Sequence, residues 1–280
     1  LPILAGTALL HSMMVQDRRG AFRVWNVFLV VTTFVLTLLG AFLVRSGVLT
    51  SVHTFAVDPG RGAYMLGFLT VAMVLGYGLI LWRANRQPED NVIESALSRE
   101  SMILANNVVL MLAMLIVLVG TLAPLVVEVF SEQRISVGAP YYNAVVVPLL
   151  AGLLFLMAIG PSVPWRRMPA GRFGRRFAPA AGGALAGGVA MVAAGTGAVG
   201  ALAGAAVAFA AWATLRDILA AIEARRAVSG GGWLPAAGRT VLTSRRRIGG
   251  LLAHLGVAVM AAAQRAELLG LPVIQLSDIT

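Results

Sequence analysis

Phe177 to Leu215 reads FAPAAGGALAGGVAMVAAGTGAVGALAGAAVAFAAWATL, 39 consecutive residues without a charge. How often this stretch crosses a membrane decides the topology of everything around it. A hydrocarbon core of about 30 Å takes roughly 20 helical residues at about 1.5 Å each, so the stretch is too long for one span. Gly195-Thr196-Gly197 near its centre supplies a tight turn. The stretch is therefore read as a hairpin of two helices.

Working outward, further uncharged runs cover 1–16, 24–44, 62–82, 101–127, 135–165 and 248–264. Each suits one span except the first, which is short and opens without Met, so the N-terminus reads as truncated. The expectation is an all-α, polytopic transmembrane helix bundle of about eight spans, the first incomplete. Composition agrees: 59% of the 280 residues are hydrophobic and only 12% charged, far from a soluble domain. Pro124, Pro148 and Pro161 are places where a span can break locally.

All 22 basic residues are arginine, and against 12 acids they give a net charge of +10. Segments 16–23, 83–100, 164–177 and 216–248 hold 18 of them, whereas 45–61, 128–140 and 265–280 hold four. That asymmetry is the positive-inside signal of a membrane protein rather than a nucleic-acid footprint. It also requires the hairpin, because a single span over 177–215 would put two arginine clusters on opposite faces. The loops containing His53 and Gln133 then face outward. The basic segment 216–248, around Gly230-Gly231-Gly232, is expected to form a short interfacial helix and a link drawn to anionic membrane lipid.

The chain has no cysteine, so disulfides and thiolate chemistry of its own are excluded. Walker A, HExxH, strand-bound GxGxxG and hydrolase GxSxG patterns are also missing. The three histidines are more informative. His11 lies six residues before Asp17, and His254 seven residues after Arg247, in spans running in opposite directions. Each is therefore about 9–11 Å from the arginine-rich side, at matched depth. An ionisable side chain within the membrane is costly and marks a functional position. Two imidazoles at one depth on antiparallel helices suit the two axial nitrogens of a haem iron. Hydrogen bonding to a neighbouring helix carbonyl, or a proton relay, remains open on spacing alone. His53 sits in an apolar outer loop bracketed by Arg45 and Arg61, which can pair with carboxylates such as haem propionates.

Four stretches carry a resemblance: Thr7-Ala-Leu-Leu-His11-Ser, Arg45-Ser-Gly-Val-Leu-Thr-Ser-Val-His53-Thr-Phe-Ala-Val-Asp58-Pro-Gly-Arg61-Gly, Ser98-Arg-Glu-Ser101, and Ile135-Ser-Val-Gly-Ala-Pro-Tyr141-Tyr-Asn143. Together they resemble the CcmF-type cytochrome c haem lyase family of bacterial System I maturation. The likeness covers roughly 1–165, is weak across 178–211, and returns at Arg245-Arg-Arg-Ile-Gly-Gly-Leu-Leu-Ala-His254-Leu-Gly. It implies that His11 and His254 ligate a transmembrane haem b, and that His53 is an outer-face ligand of the haem being transferred. The family joins haem vinyls to the two thiols of CxxCH in apocytochrome c. Its implied partners are a CcmE-type haem chaperone, a CcmH-type apocytochrome-presenting protein and a donor such as quinol, at the bacterial inner membrane with the haem-attachment face periplasmic.

The chain divides on this reading into a haem-handling core, 1–165, with its outer histidine loop at 45–62; a hairpin plus basic segment, 166–247; a histidine-bearing helix, 248–264; and a divergent tail, 265–280. The family's tryptophan-rich outer segment and second outer histidine have no counterpart in these residues, so both ends read as truncated and this segment alone is expected to be inactive. An NrfE-type paralogue serving nitrite reductase is a close variant. A haem or solute transporter is a second class, without the internal repeat that such folds show. A structural assembly subunit is a third.

Overall fold

Uncharged runs mark where the chain enters lipid, and the helices extend past them at several ends. The computed structural model describes residues 1–45, 59–84, 93–131, 135 and 137–268. Among these residues all regular structure is helical, and seven helices are long and apolar enough to cross a membrane. The protein is an all-α, multi-pass membrane protein. The helices form two compact units, Leu1–Ile93 with Ile103–Val146, and Glu94–Met102 with Val147–Thr280.

The first unit begins with α1 (Pro2–Arg19), which carries Pro at its start, where a missing N–H costs nothing. It ends at Gly20, whose N–H donates to the Gln16 carbonyl at 2.8 Å. Asp17, Arg18 and Arg19 fill its last turns, so α1 is not among the seven apolar spans. Helix α2 (Arg23–Arg45) packs on α1, and α3 (Pro59–Ala84) packs on α2. Between the latter two, Thr32 Oγ1 and Tyr77 Oη lie 3.0 Å apart. The unit also includes most of α4 (Arg99–Ser131), whose Met114 is buried with Ala5 and Leu36. Helix α4 continues through Pro124, and α5 (Ala139–Ile159) through Pro148. Neighbouring helices re-satisfy the backbone groups that a proline frees in lipid. Only Pro161 coincides with an end, in the 3-10 turn Gly160–Ser162 after α5.

In the second unit α6 (Ala170–Ala193) and α7 (Gly197–Ser229) form the hairpin, joined by Ala194, Gly195 and Thr196. Gly195 and Gly197 have φ of 79° and 68°, the left-handed region that glycine enters without a Cβ clash. Close packing of the pair needs small residues: a Cβ on Gly187 would lie 2.8 Å from both Ala208 Cβ and the Gly204 carbonyl oxygen. Phe155, Phe177 and Phe209 stack into the core beside Ala206, Ala210 and Ala213. Helix α7 runs on past Arg216 to Gly230, so the first half of the basic segment is a helical extension, and the short helix is α8 (Trp233–Thr243). Helix α9 (Arg245–Leu268) packs on α7 and α8.

The arginine-rich end of this unit is tied by polar contacts. Asp217, its side chain 3% exposed, pairs with Arg176 and accepts a hydrogen bond from Ser162 Oγ at 2.5 Å. Arg99 donates to the Val163 carbonyl at 3.0 Å and lies 5.3 Å from the ring centre of Trp165. Glu100 accepts the Arg166 backbone N–H at 3.0 Å.

Candidate functional site

His11 sits midway along α1 in the first unit, half-buried. Its Nδ1 lies 2.8 Å from the Thr7 carbonyl oxygen, one helical turn earlier. A carbonyl only accepts, so Nδ1 carries the proton, and in the neutral ring the lone pair resides on Nε2. That is the tautomer an axial histidine uses, its second nitrogen held by a backbone carbonyl. The donor chemistry of His11 thus fits a haem iron.

The turn that presents His11 is fastened by neighbours that the sequence reading did not single out. Ser12, fully buried, places Oγ 3.0 Å from the Ala8 carbonyl and 2.5 Å from Asn26 Oδ1. Asn26 in turn donates through Nδ2 to Gln16 Oε1. Asn107 of α4, also fully buried, has one amide orientation that satisfies both its neighbours: it donates to the Ala8 carbonyl at 3.0 Å and accepts from Trp25 Nε1 at 3.1 Å. Residues from α1, α2 and α4 therefore converge on the Ala8–Ser12 turn. Asn106 adds a second amide whose Nδ2 is buried. A signal existed in the sequence, since two adjacent amides interrupt the otherwise apolar run 101–127.

His254 belongs to the second unit. It stands on α9 between Leu251 and Ala258, both buried, at spacings of three and four residues that place all three on one face. Its ring is half-buried, and Nδ1 is shielded from solvent. His53 lies outside the described residues, as does most of the loop 45–62. Arg45 and Arg61 close α2 and open α3 respectively, and their side chains are outside the description. Residues 269–280 of the tail are outside it too. Among the described residues no group of three or more His, Asp or Glu side chains is placed to hold a metal ion.

Similar proteins were found by sequence and by structure. No protein-family profile matches the chain. It is 47% identical over 169 residues to the cytochrome c-type biogenesis protein CcmF of Pseudomonas fluorescens, covering 60% of this chain and 25% of that protein. Identity to CcmF of Escherichia coli K12 is 46% over 168 residues, 60% of this chain and 26% of the relative. Identity to NrfE of Haemophilus influenzae is 37% over 163 residues, 58% of this chain and 26% of the relative. The solved structure of the cytochrome c heme lyase CcmF superposes with a TM-score of 0.64 at 30% identity, over 94% of this chain and 37% of that one. The aligned part of this chain thus spans about a quarter of the length of these curated relatives.

Proposed function

We propose, from its homology to one segment of the CcmF-type cytochrome c biogenesis proteins, that this chain is the haem-handling part of a cytochrome c haem lyase. In this reading His11 and His254 would each offer an imidazole to a b-type haem within the membrane, and His53 would bind a second haem, the substrate. Arg45 and Arg61 flank that outer position and pair with propionates. The proposed setting is the bacterial inner membrane, with the His53 loop in the periplasm.

The observation that supports the reading is the Nδ1 contact of His11 to the Thr7 carbonyl, which occupies Nδ1 and leaves Nε2 as the ring nitrogen suited to a metal. The buried network around Ala8 and Ser12 holds that turn of α1 rigid, so the imidazole is oriented before any iron arrives. A bound b-type haem would supply one-electron chemistry that keeps the delivered haem reduced, given a donor such as quinol. Attachment itself needs two thiols, and with no cysteine in the chain both belong to the apocytochrome. Each S–H adds across one vinyl of the substrate haem, sulfur bonding to one carbon and hydrogen to the other. The proposed partners are correspondingly apocytochrome c, a CcmE-type chaperone that delivers haem and a CcmH-type protein that presents the thiols. The higher identity to CcmF than to NrfE favours the general maturation pathway over a nitrite-reductase paralogue.

A reduced-minus-oxidised absorption spectrum of the purified protein tests the ligand assignment. The b-type bands are expected in the wild type and in His53→Ala, and lost in His11→Ala and His254→Ala. Full bands in the double variant of His11 and His254 would overturn it.

A further inference from the structure

The second unit contains a cavity of about 650 Å³ that has no part in the proposed haem chemistry. Its wall carries six arginines, Arg99, Arg172, Arg175, Arg176, Arg216 and Arg247. They come from four places in the sequence, so the concentration of charge is made by the fold. On α6 the pattern is helical: Arg175 and Arg176 lie three and four residues after Arg172, on the side of the helix that lines the cavity, while Phe173, Phe177 and Ala180 pack into the core. Helix α7 contributes Arg216, and α9 contributes Arg247.

Three of the six have partners in the fold, Arg99 the carbonyls of Pro161 and Val163, Arg175 the Gly171 carbonyl, and Arg176 the Asp217 carboxylate. Among the described residues no carboxylate pairs with Arg172, Arg216 or Arg247. Like charges gathered around one concave surface repel one another unless an anion lies between them. Guanidinium groups offer planar, paired N–H donors that match phosphate oxygens better than they match a chloride ion. The rest of the wall is mostly apolar, Pro161, Val163, Pro164, Met168 and Pro179, with Ser162 as its one hydroxyl. The wall thus matches phosphate oxygens and leaves room for hydrocarbon beside them. The uncharged runs 177–215 and 248–264 stop next to Arg176, Arg216 and Arg247, which suits a cavity at the level of lipid headgroups.

We infer that this cavity is a binding site for a phosphate ester, with Arg172, Arg216 and Arg247 as the anion-binding side chains. The phosphate comes either from an anionic lipid headgroup or from a soluble phosphate compound. The site stands independently of haem binding.

The test is equilibrium binding to the full chain, purified in detergent, of two probes: fluorescent phosphatidylglycerol, followed by anisotropy with phosphatidylcholine as reference, and inorganic phosphate, followed by calorimetry. The cavity variant R172Q/R216Q/R247Q is compared with R226Q/R239Q/R246Q, which removes equal charge from the same end outside the cavity. Loss of phosphatidylglycerol affinity by about tenfold or more in the cavity variant alone supports the site and names lipid as the source. The same selective loss for inorganic phosphate, with lipid binding unchanged, supports it and names a soluble source. No binding of either probe by the wild type, equal binding by wild type and cavity variant, or equal loss in both triple variants overturns it. Circular dichroism verifies folding. Should the cavity triple fail to fold, Arg216→Gln alone decides by the same criteria, with a smaller loss of about threefold.

Discussion

Asn107 shows how much a single amide does inside an apolar helix. Its two hydrogen bonds tie α4 to the Ala8 carbonyl of α1 and to Trp25 of α2. Asn107→Leu keeps the volume nearly constant and removes both bonds, leaving the Trp25 N–H unsatisfied in a buried site. A loss on the order of 1 kcal/mol is expected, read as a lower thermal midpoint in detergent. Trp25→Phe should lose a comparable amount, and the double variant less than the sum, because the pair shares one interaction. At the arginine-rich end, Arg176→Ala should be more harmful than Arg172→Ala, by about 1–3 kcal/mol, because it strands the Asp217 carboxylate in a buried site. Equal midpoints for those two variants would contradict the pairing. The histidines stand out in the sequence because a titratable group in lipid is costly, and their matched depth is an expectation from counting residues. The asparagines leave a fainter mark, because an amide carries no charge and its worth depends on which backbone carbonyl it meets.

Helix α6 offers a controlled comparison between two glycines four residues apart. A Cβ at Gly187 collides with α7, whereas one at Gly183 meets nothing within 4 Å. Gly187→Ala should destabilise by about 1–3 kcal/mol, since both helices must shift. Gly183→Ala should be neutral or stabilising by up to about 1 kcal/mol, because alanine is the better helix former. The two variants have the same composition, so opposite signs of the midpoint shift isolate the interhelical contact. The turn between these helices was readable from Gly195-Thr196-Gly197, because two glycines on either side of one residue can both enter the left-handed region that a tight turn uses. The helix ends were not readable in the same way. Uncharged runs locate the edges of the hydrocarbon, and the hydrogen-bonded ladder does not stop there: α6 starts before Arg172 and α7 runs on 13 residues past Arg216.

For the whole molecule, the arginine distribution predicts one orientation, and the absence of cysteine from the sequence makes it directly measurable. Ser131→Cys, at the end of α4, and Ser229→Cys, at the end of α7, are both exposed and should lie on opposite sides of the membrane. A membrane-impermeant maleimide applied to spheroplasts should label only the first, and applied to inverted vesicles only the second. The reverse pattern would invert the topology and move the His53 loop to the other face.

Only three residues separate α6 from α7, and α6 is the less apolar of the two. A connection that short leaves no slack for one helix to settle in the bilayer while its neighbour is still outside. During synthesis, then, α6 cannot commit alone: its weak affinity for lipid is supplemented by α7, and the two must partition as a single inserted unit.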